Sequence, residues 1–279
     1  MTAFPKLALG TWLMGGTKER DPDNDDTRDI AAIRLAINNG VTLIDTAQNY
    51  ASGRCEELVG EAIRDLDRTS FQILTKQNRL RQSYHDVMDG CAASLKRLGL
   101  DYIDYFVCHA PNPDFDMRDF FRAANKLHKQ GLIKNVGVSN FGPKMLELAV
   151  ATSDTPIIFN QVHFSVDDDD VLATGTYDYC QKHDIKIQSY RTLVDLDKNE
   201  KALKVIEQIA TTKNLSIQQI TLAYINSYEG MTFTIKSSSA EHWNEAKSAL
   251  ATSLSLSEIT SIRSTHQNLS GNFRNFLEM

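Results

Sequence analysis

Short apolar runs, rich in Ile, Val, Leu and aromatic residues, alternate along the chain with longer stretches whose apolar positions recur every three or four residues. The short runs predict strands over residues 7–9, 43–45, 72–75, 105–108, 135–138, 157–160, 186–189 and 233–235. The longer stretches predict amphipathic helices over 27–39, 84–98, 120–130, 144–152, 171–183, 201–213, 217–227 and 240–251. Strands that alternate with helices imply a parallel sheet. Eight such strands predict closure into a (β/α)₈ TIM barrel, read as a single domain over residues 1–279 because no Pro/Gly-rich linker or shift of composition divides the chain. An open, doubly wound sheet is the competing fold. It usually carries Gly-x-Gly-x-x-Gly after its first strand, and no such run and no Walker A loop occurs here.

Composition narrows the function without naming it. The chain is 42% hydrophobic and 24% charged, which is ordinary for a globular protein. No apolar run approaches the length of a membrane span, and the first residues lack a signal-peptide pattern. A net charge of −6 disfavours nonspecific nucleic-acid binding. Cys55, Cys91, Cys108 and Cys180 form no Cys-x-x-Cys pair and predict reduced, packed thiols in a cytoplasmic protein. Two acidic clusters invite a metal reading. The first, at 21–26, fails the EF-hand pattern because Asp26 and Ala32 stand where Gly and Glu are needed. The second, Asp167-Asp168-Asp169-Asp170, precedes an apolar helical stretch. Both are read as solvated helix caps, and no metal is expected.

The chemistry gathers at strand ends. Asp45 closes Thr42-Leu43-Ile44-Asp45 and Tyr50 follows shortly after it. Lys76 closes Ile73-Leu74-Thr75-Lys76, and His109 follows Tyr105-Phe106-Val107-Cys108. In a parallel barrel these ends share one rim, where an acid, a phenol, an amine and an imidazole would converge. A neighbouring ammonium favours the tyrosinate and so lowers a phenol pKa, which fits Tyr50 to pass a proton to a carbonyl. A Schiff-base aldolase with Lys76 as nucleophile is the rival, and Asp45 beside that lysine argues against it, since a stabilised ammonium is a poor nucleophile. A cofactor-binding regulatory protein with little turnover is a second alternative.

Leu9-Gly10-Thr11-Trp12, the run from Leu43 to Tyr50, Leu74-Thr75-Lys76, the run from Gly131 to Phe141 and Asn160-Gln161-Val162 together resemble the aldo-keto reductases, in order and over nearly the whole chain. The resemblance implies reduction of a small aldehyde or ketone to an alcohol with NADPH, NADH being possible, by a monomer or weak homo-oligomer. It implies Tyr50 as general acid, Lys76 as the cation beside it, Asp45 as the partner of that lysine and His109 as the imidazole that orients the substrate. It further implies Ser139, Asn140 and Gln161 at the nicotinamide carboxamide, Tyr190 stacked on the ring, Gly10, Thr11 and Leu193 along the cofactor, Lys236 and Ser237 at the adenosine phosphate, and Trp12 on the substrate wall.

The chain also departs from the family pattern. Ile235 replaces a Pro, His242 an Arg, Ala246 an Asn, and Tyr190-Arg191-Thr192-Leu193 a Tyr-Ser-Pro-Leu turn. The family's cation at position 242 is permanent, whereas an imidazole is not. A narrowed NADPH preference is therefore expected. The N-terminal hairpin is reduced to one strand, and the short tail after Gln267 implies an open substrate pocket. Plainer roles compete at single positions. Trp12 could be a core residue, and Ser139 and Asn140 could cap the helix that begins near Pro143.

Overall fold

The computed structural model describes residues 4–193, 196, 199–266 and 274–279. Eight parallel strands close into a barrel in chain order. They are β1 (Leu7–Gly10), β2 (Leu43–Asp45), β3 (Gln72–Gln77), β4 (Ile103–Cys108), β5 (Ile133–Ser139), β6 (Ile157–His163), β7 (Lys186–Tyr190) and β8 (Met231–Ile235). All eight predicted strands are present. Their C-terminal ends stand level, since Gly10 pairs with Asp45, Lys76 with Val107, Ser139 with Gln161, and His163 with Tyr190. That register carries the polar strand ends to one rim.

The barrel interior is packed at the opposite end. Ala8, Leu43, Leu74, Tyr105, Val107 and Phe159 form a small inner core, and the Phe4 ring stacks on Phe159 at 4.5 Å to close its floor. Gly137 allows that packing, because a Cβ there would lie 2.5 Å from the Phe159 ring. The larger core fills the layer between strands and helices.

The helices are α1 (Asp26–Asn38), α2 (Arg54–Ile63), α3 (Tyr84–Leu98), α4 (Arg118–Lys129), α5 (Pro143–Thr152), α6 (Asp170–Ala173), α7 (Thr176–Lys182), α8 (Glu200–Lys213), α9 (Ile217–Asn226), α10 (Ala240–Ala251), α11 (Leu256–Arg263) and α12 (Arg274–Leu277). Their starts are written in side chains. Asp25 and Ser83 accept N–H bonds as N-caps of α1 and α3, and Ser216–Gln219 and Ser255–Glu258 form complete capping boxes.

Three expectations need correction. The helix expected over 171–183 is split into α6 and α7, because Gly175 takes a left-handed φ of 74° and breaks the turn. Helix α2 went unread, although Cys55, Leu58, Val59, Ala62 and Ile63 bury one helical face. The second acidic cluster is not solvated. Asp167, Asp168 and Asp170 are 2%, 1% and 4% exposed, Asp168 meets His163 Nδ1 at 2.6 Å, and Asn199 donates to Asp167. The first cluster does cap, through Asp25, while Asp26 pairs with Arg54. Among the described residues no group of His, Cys, Asp or Glu is arranged to hold a metal ion, and no helix is long and apolar enough to cross a membrane. The expectation about the tail falls partly on residues 267–273, outside the described residues; beyond them α12 lies over the loop after β5, with the Leu277 carbonyl against Gly142.

Candidate active site

The rim assembles the tetrad. Lys76 is fully buried, and its three N–H bonds are all taken: by Asp45 Oδ1, by the Thr46 carbonyl at 2.9 Å and by the Tyr50 hydroxyl at 3.2 Å. Asp45 is held from its other oxygen, which accepts from Gln161 Nε2 at 2.6 Å. The same amide donates to Gln188 Oε1 at 2.7 Å. A polar chain thus crosses the barrel from β7 to the phenol.

Tyr50 follows β2 on a short 3₁₀ turn (Tyr50–Gly53) whose geometry is unusual. Ala51 and Ser52 both take left-handed φ, 49° and 50°. Such backbone costs non-glycine residues on the order of 1–2 kcal/mol. It is held by N–H bonds from Ala51 to the Thr17 carbonyl and from Ser52 to the Lys18 carbonyl, both 2.9 Å. The phenol ring meets Trp12 edge-on at 4.9 Å and His109 edge-on at 5.9 Å. Trp12 is 41% exposed, so it borders the mouth and is not a core residue.

Electrostatics differ from the simple expectation at one point. Burial raises the Tyr50 phenol, and Lys76 only partly offsets this, so the net shift is upward. Burial pulls Lys76 down, but Asp45 and Tyr50 outweigh it and hold the ammonium above its ordinary value. Lys76 is therefore a fixed cation and not a free amine. Burial, then the charges of Lys76 and Arg79, hold His109 well below the usual imidazole value. His109 is neutral near pH 7, and its Nδ1 is buried without a partner among the described residues.

The other expected residues fall into two groups. At the ends of β5, β6 and β7, Ser139 Oγ accepts from Asn140 Nδ2 at 3.1 Å, Asn140 Oδ1 accepts from the Tyr190 hydroxyl at 2.8 Å, and Asn140 Nδ2 reaches the His109 carbonyl at 3.2 Å. These side chains bond one another and do not cap α5, whose N-cap is Gly142 with no side-chain bond. Lys236, Ser237 and His242 lie apart, on a cleft of about 410 Å³ outside the rim. Gly10 backs onto β8, where a Cβ would lie 2.9 Å from Thr234 Oγ1. Thr11 bonds the Asp45 carbonyl at 2.9 Å and so pins β1 to β2. Leu193 packs half-buried against the core beyond β7.

Two members of the network were not anticipated. Gln188 is buried inside the barrel and fixes Gln161; its strand reads Lys-Ile-Gln-Ser-Tyr, so the amide did not stand out. Arg79, whose charge acts on His109, sits on an irregular loop where no periodicity marks it.

A closed (β/α)₈ barrel with a buried lysine and aspartate beside a half-buried tyrosine at its C-terminal rim defines a narrow class of protein. The aldo/keto reductase family model matches residues 6–267, and the chain belongs to that family. It is 30% identical over 264 residues to the methylglyoxal reductase YeaE of Escherichia coli (strain K12), covering 92% of this chain and 89% of that protein. It is 32% identical over 217 residues to the glyoxal reductase of Bacillus subtilis (strain 168), covering 76% and 74%. Among solved structures, the thermostable aldo-keto reductase Tm1743 in complex with epalrestat superposes with a TM-score of 0.88 at 33% identity, covering 94% of this chain and 95% of that one. The aldo-keto reductase from Klebsiella pneumoniae in complex with NADPH gives 0.82 at 28% identity, covering 94% and 91%.

Proposed function

We propose that this protein reduces a small aldehyde, ketone or 2-oxoaldehyde to the alcohol with NADPH, Tyr50 serving as proton donor. The observation that carries the reading is the buried Lys76 ammonium, tied to Asp45 and donating to the Tyr50 hydroxyl. The names of the relatives, methylglyoxal reductase and glyoxal reductase, favour short carbonyl substrates.

The residues present suit the cofactor at both ends. Ser139, Asn140 and Gln161 offer amide and hydroxyl groups suited to a carboxamide, next to the Tyr190 ring. The outer cleft offers Lys236, Ser237 and His242 to a phosphate. NADPH, when bound, supplies the hydride. The chain's own groups handle the proton and the charge. Tyr50, protonated at neutral pH, gives its proton to the carbonyl oxygen as negative charge develops there. Lys76⁺ stabilises the phenolate left behind, and Asp45 keeps that lysine charged. Neutral His109 retains an N–H to donate to the same oxygen and so selects its orientation. Trp12 shields one side. The four buried, unpaired thiols suit a reducing compartment such as the cytosol.

The saturated hydrogen bonds of Lys76 oppose the aldolase alternative, because no lone pair is free to attack. The test is NADPH oxidation scored against a panel of aldehydes, ketones and diketones, with borohydride trapping in parallel. Turnover of a short carbonyl without lysine labelling is the expected result. A trapped Lys76 adduct, or no oxidation across the panel, would refute the proposal.

A further inference from the structure

The cleft of about 410 Å³ lies between α1 and the loop that leads from β8 into α10. One wall carries Lys236, Ser237 and His242; the other carries Asp25, Arg28 and Asp29. Ser237 Oγ lies 3.1 Å from His242 Nδ1 and accepts the Ser239 N–H at 3.0 Å, which ties the loop to the start of the helix. Lys236 Nζ donates to the Trp12 carbonyl at 3.0 Å.

The acids of the cleft are already engaged. Asp29 Oδ2 accepts from the Gly15 N–H at 3.0 Å and from Asn24 Nδ2 at 2.9 Å. Asp25 caps α1 by accepting the backbone N–H of Arg28 at 3.0 Å. Among the described residues neither the Arg28 guanidinium nor the Lys236 ammonium has a carboxylate in ion-pair range. Partial desolvation lowers Lys236 from its ordinary value; the Asp29 charge offsets part of this, and the Arg28 charge adds to the lowering. Arg28 and Lys236 thus repel each other across the cleft, and the acid that partly offsets them, Asp29, is already hydrogen-bonded to Gly15 and Asn24. A dianion would relieve that repulsion.

We propose that Arg28 is the second fixed cation of this cleft and reads, with Lys236, the 2′-phosphate that distinguishes NADPH from NADH. The inference rests on the proposed function, since it concerns the same cofactor. It assigns to α1 a permanent charge that His242 does not give from α10. A phosphomonoester carries about −1.5 to −2 charge at pH 7, and a guanidinium fork suits it better than a point charge does.

The experiment is equilibrium fluorescence titration of the wild type, Arg28→Ala and Arg28→Lys with NADPH and NADH, followed by displacement with 2′,5′-ADP and 5′-AMP. Arg28 is exposed on a helix and its capped backbone N–H is unaffected by substitution, so both variants should fold. Arg28→Ala should weaken NADPH and 2′,5′-ADP about tenfold, the scale of one charge-assisted contact, while NADH and 5′-AMP stay within about twofold. Arg28→Lys should recover part of the loss. Equal losses for both dinucleotides, or none, would overturn the role of Arg28 while leaving the proposed function intact. A wild type that binds neither dinucleotide would overturn both.

Discussion

At the scale of single residues, the site turns on which group carries which proton. The raised phenol of Tyr50 and the lowered imidazole of His109 move apart, so both are neutral across the physiological range. In the proposed reaction the protonated form of Tyr50 is the active one. With its titration above the ordinary value of about 10, activity should persist through neutrality and fall only in alkali. For His109 the neutral form is present above its depressed titration, so it adds no limb near pH 6.5. The reductive kcat/KM should therefore be flat from about pH 6 to pH 8. An inflection in that range that His109→Gln removes would contradict the assignment. Lys76→Met should lower kcat by about 10² or more and push the alkaline limb higher, because the offset to the desolvation of Tyr50 is gone. It should also destabilise the fold by about 3–5 kcal/mol, since Asp45 is left buried without its cation. A denaturant titration beside the pH–rate profile separates the two effects, and an unchanged rate would leave Lys76 with a structural role alone.

At the scale of elements, the strained turn that carries Tyr50 is held from outside the barrel. Gly53, at φ 91°, lies under the Arg97 side chain of α3. Arg97 pairs with Glu56 of α2, which is fully buried and accepts from Thr75 Oγ1 at 2.6 Å, beside Lys76. Arg97→Ala should cost about 3 kcal/mol in denaturant unfolding, because the buried Glu56 is left without its cation. A midpoint equal to wild type would mean that the turn is held elsewhere. A second contact packs α12 against the loop after β5. A Cβ at Gly142 would lie 1.7 Å from the Leu277 carbonyl, so Gly142→Ala must displace α12. It should alter KM for bulky carbonyls by severalfold while leaving methylglyoxal nearly unchanged, measured across the substrate panel.

The elements also mark what the sequence could reveal. All eight strands were legible because each is a short apolar run, buried on both faces between helices and barrel interior. The tetrad was legible because a charged or aromatic polar group at the end of such a run is out of pattern. Helix α2 was legible by the same periodicity as the other helices and went unread: Cys55, Leu58, Val59, Ala62 and Ile63 fall at i, i+3, i+4, i+7 and i+8, and only the buried Glu56 departs from the pattern. The split at Gly175 depends on a backbone angle that periodicity does not encode. The burial of Asp167, Asp168 and Asp170 depends on His163, Asn199 and neighbours distant in sequence. The upward shift of Tyr50 depends on how much solvent the assembled rim excludes, which no motif states.

At the scale of the whole molecule, a barrel with a packed floor presents the Asp45–Tyr50–Lys76–His109 rim at one end and a charged cleft at its edge, and the proposed activity needs both. His242→Arg should raise the ratio of kcat/KM for NADPH over NADH by severalfold at pH 8, through bidentate contact with phosphate. An unchanged ratio would place position 242 away from the phosphate. The central claim is narrower: Tyr50 is the proton donor to a carbonyl. Single-turnover reduction of methylglyoxal by preformed NADPH complexes of wild type and Tyr50→Phe tests it directly, because cofactor binding is read in the same experiment. The account predicts that the phenylalanine variant binds NADPH within about threefold of wild type and transfers hydride about 10²- to 10⁴-fold more slowly. Hydride transfer within threefold of wild type would contradict it.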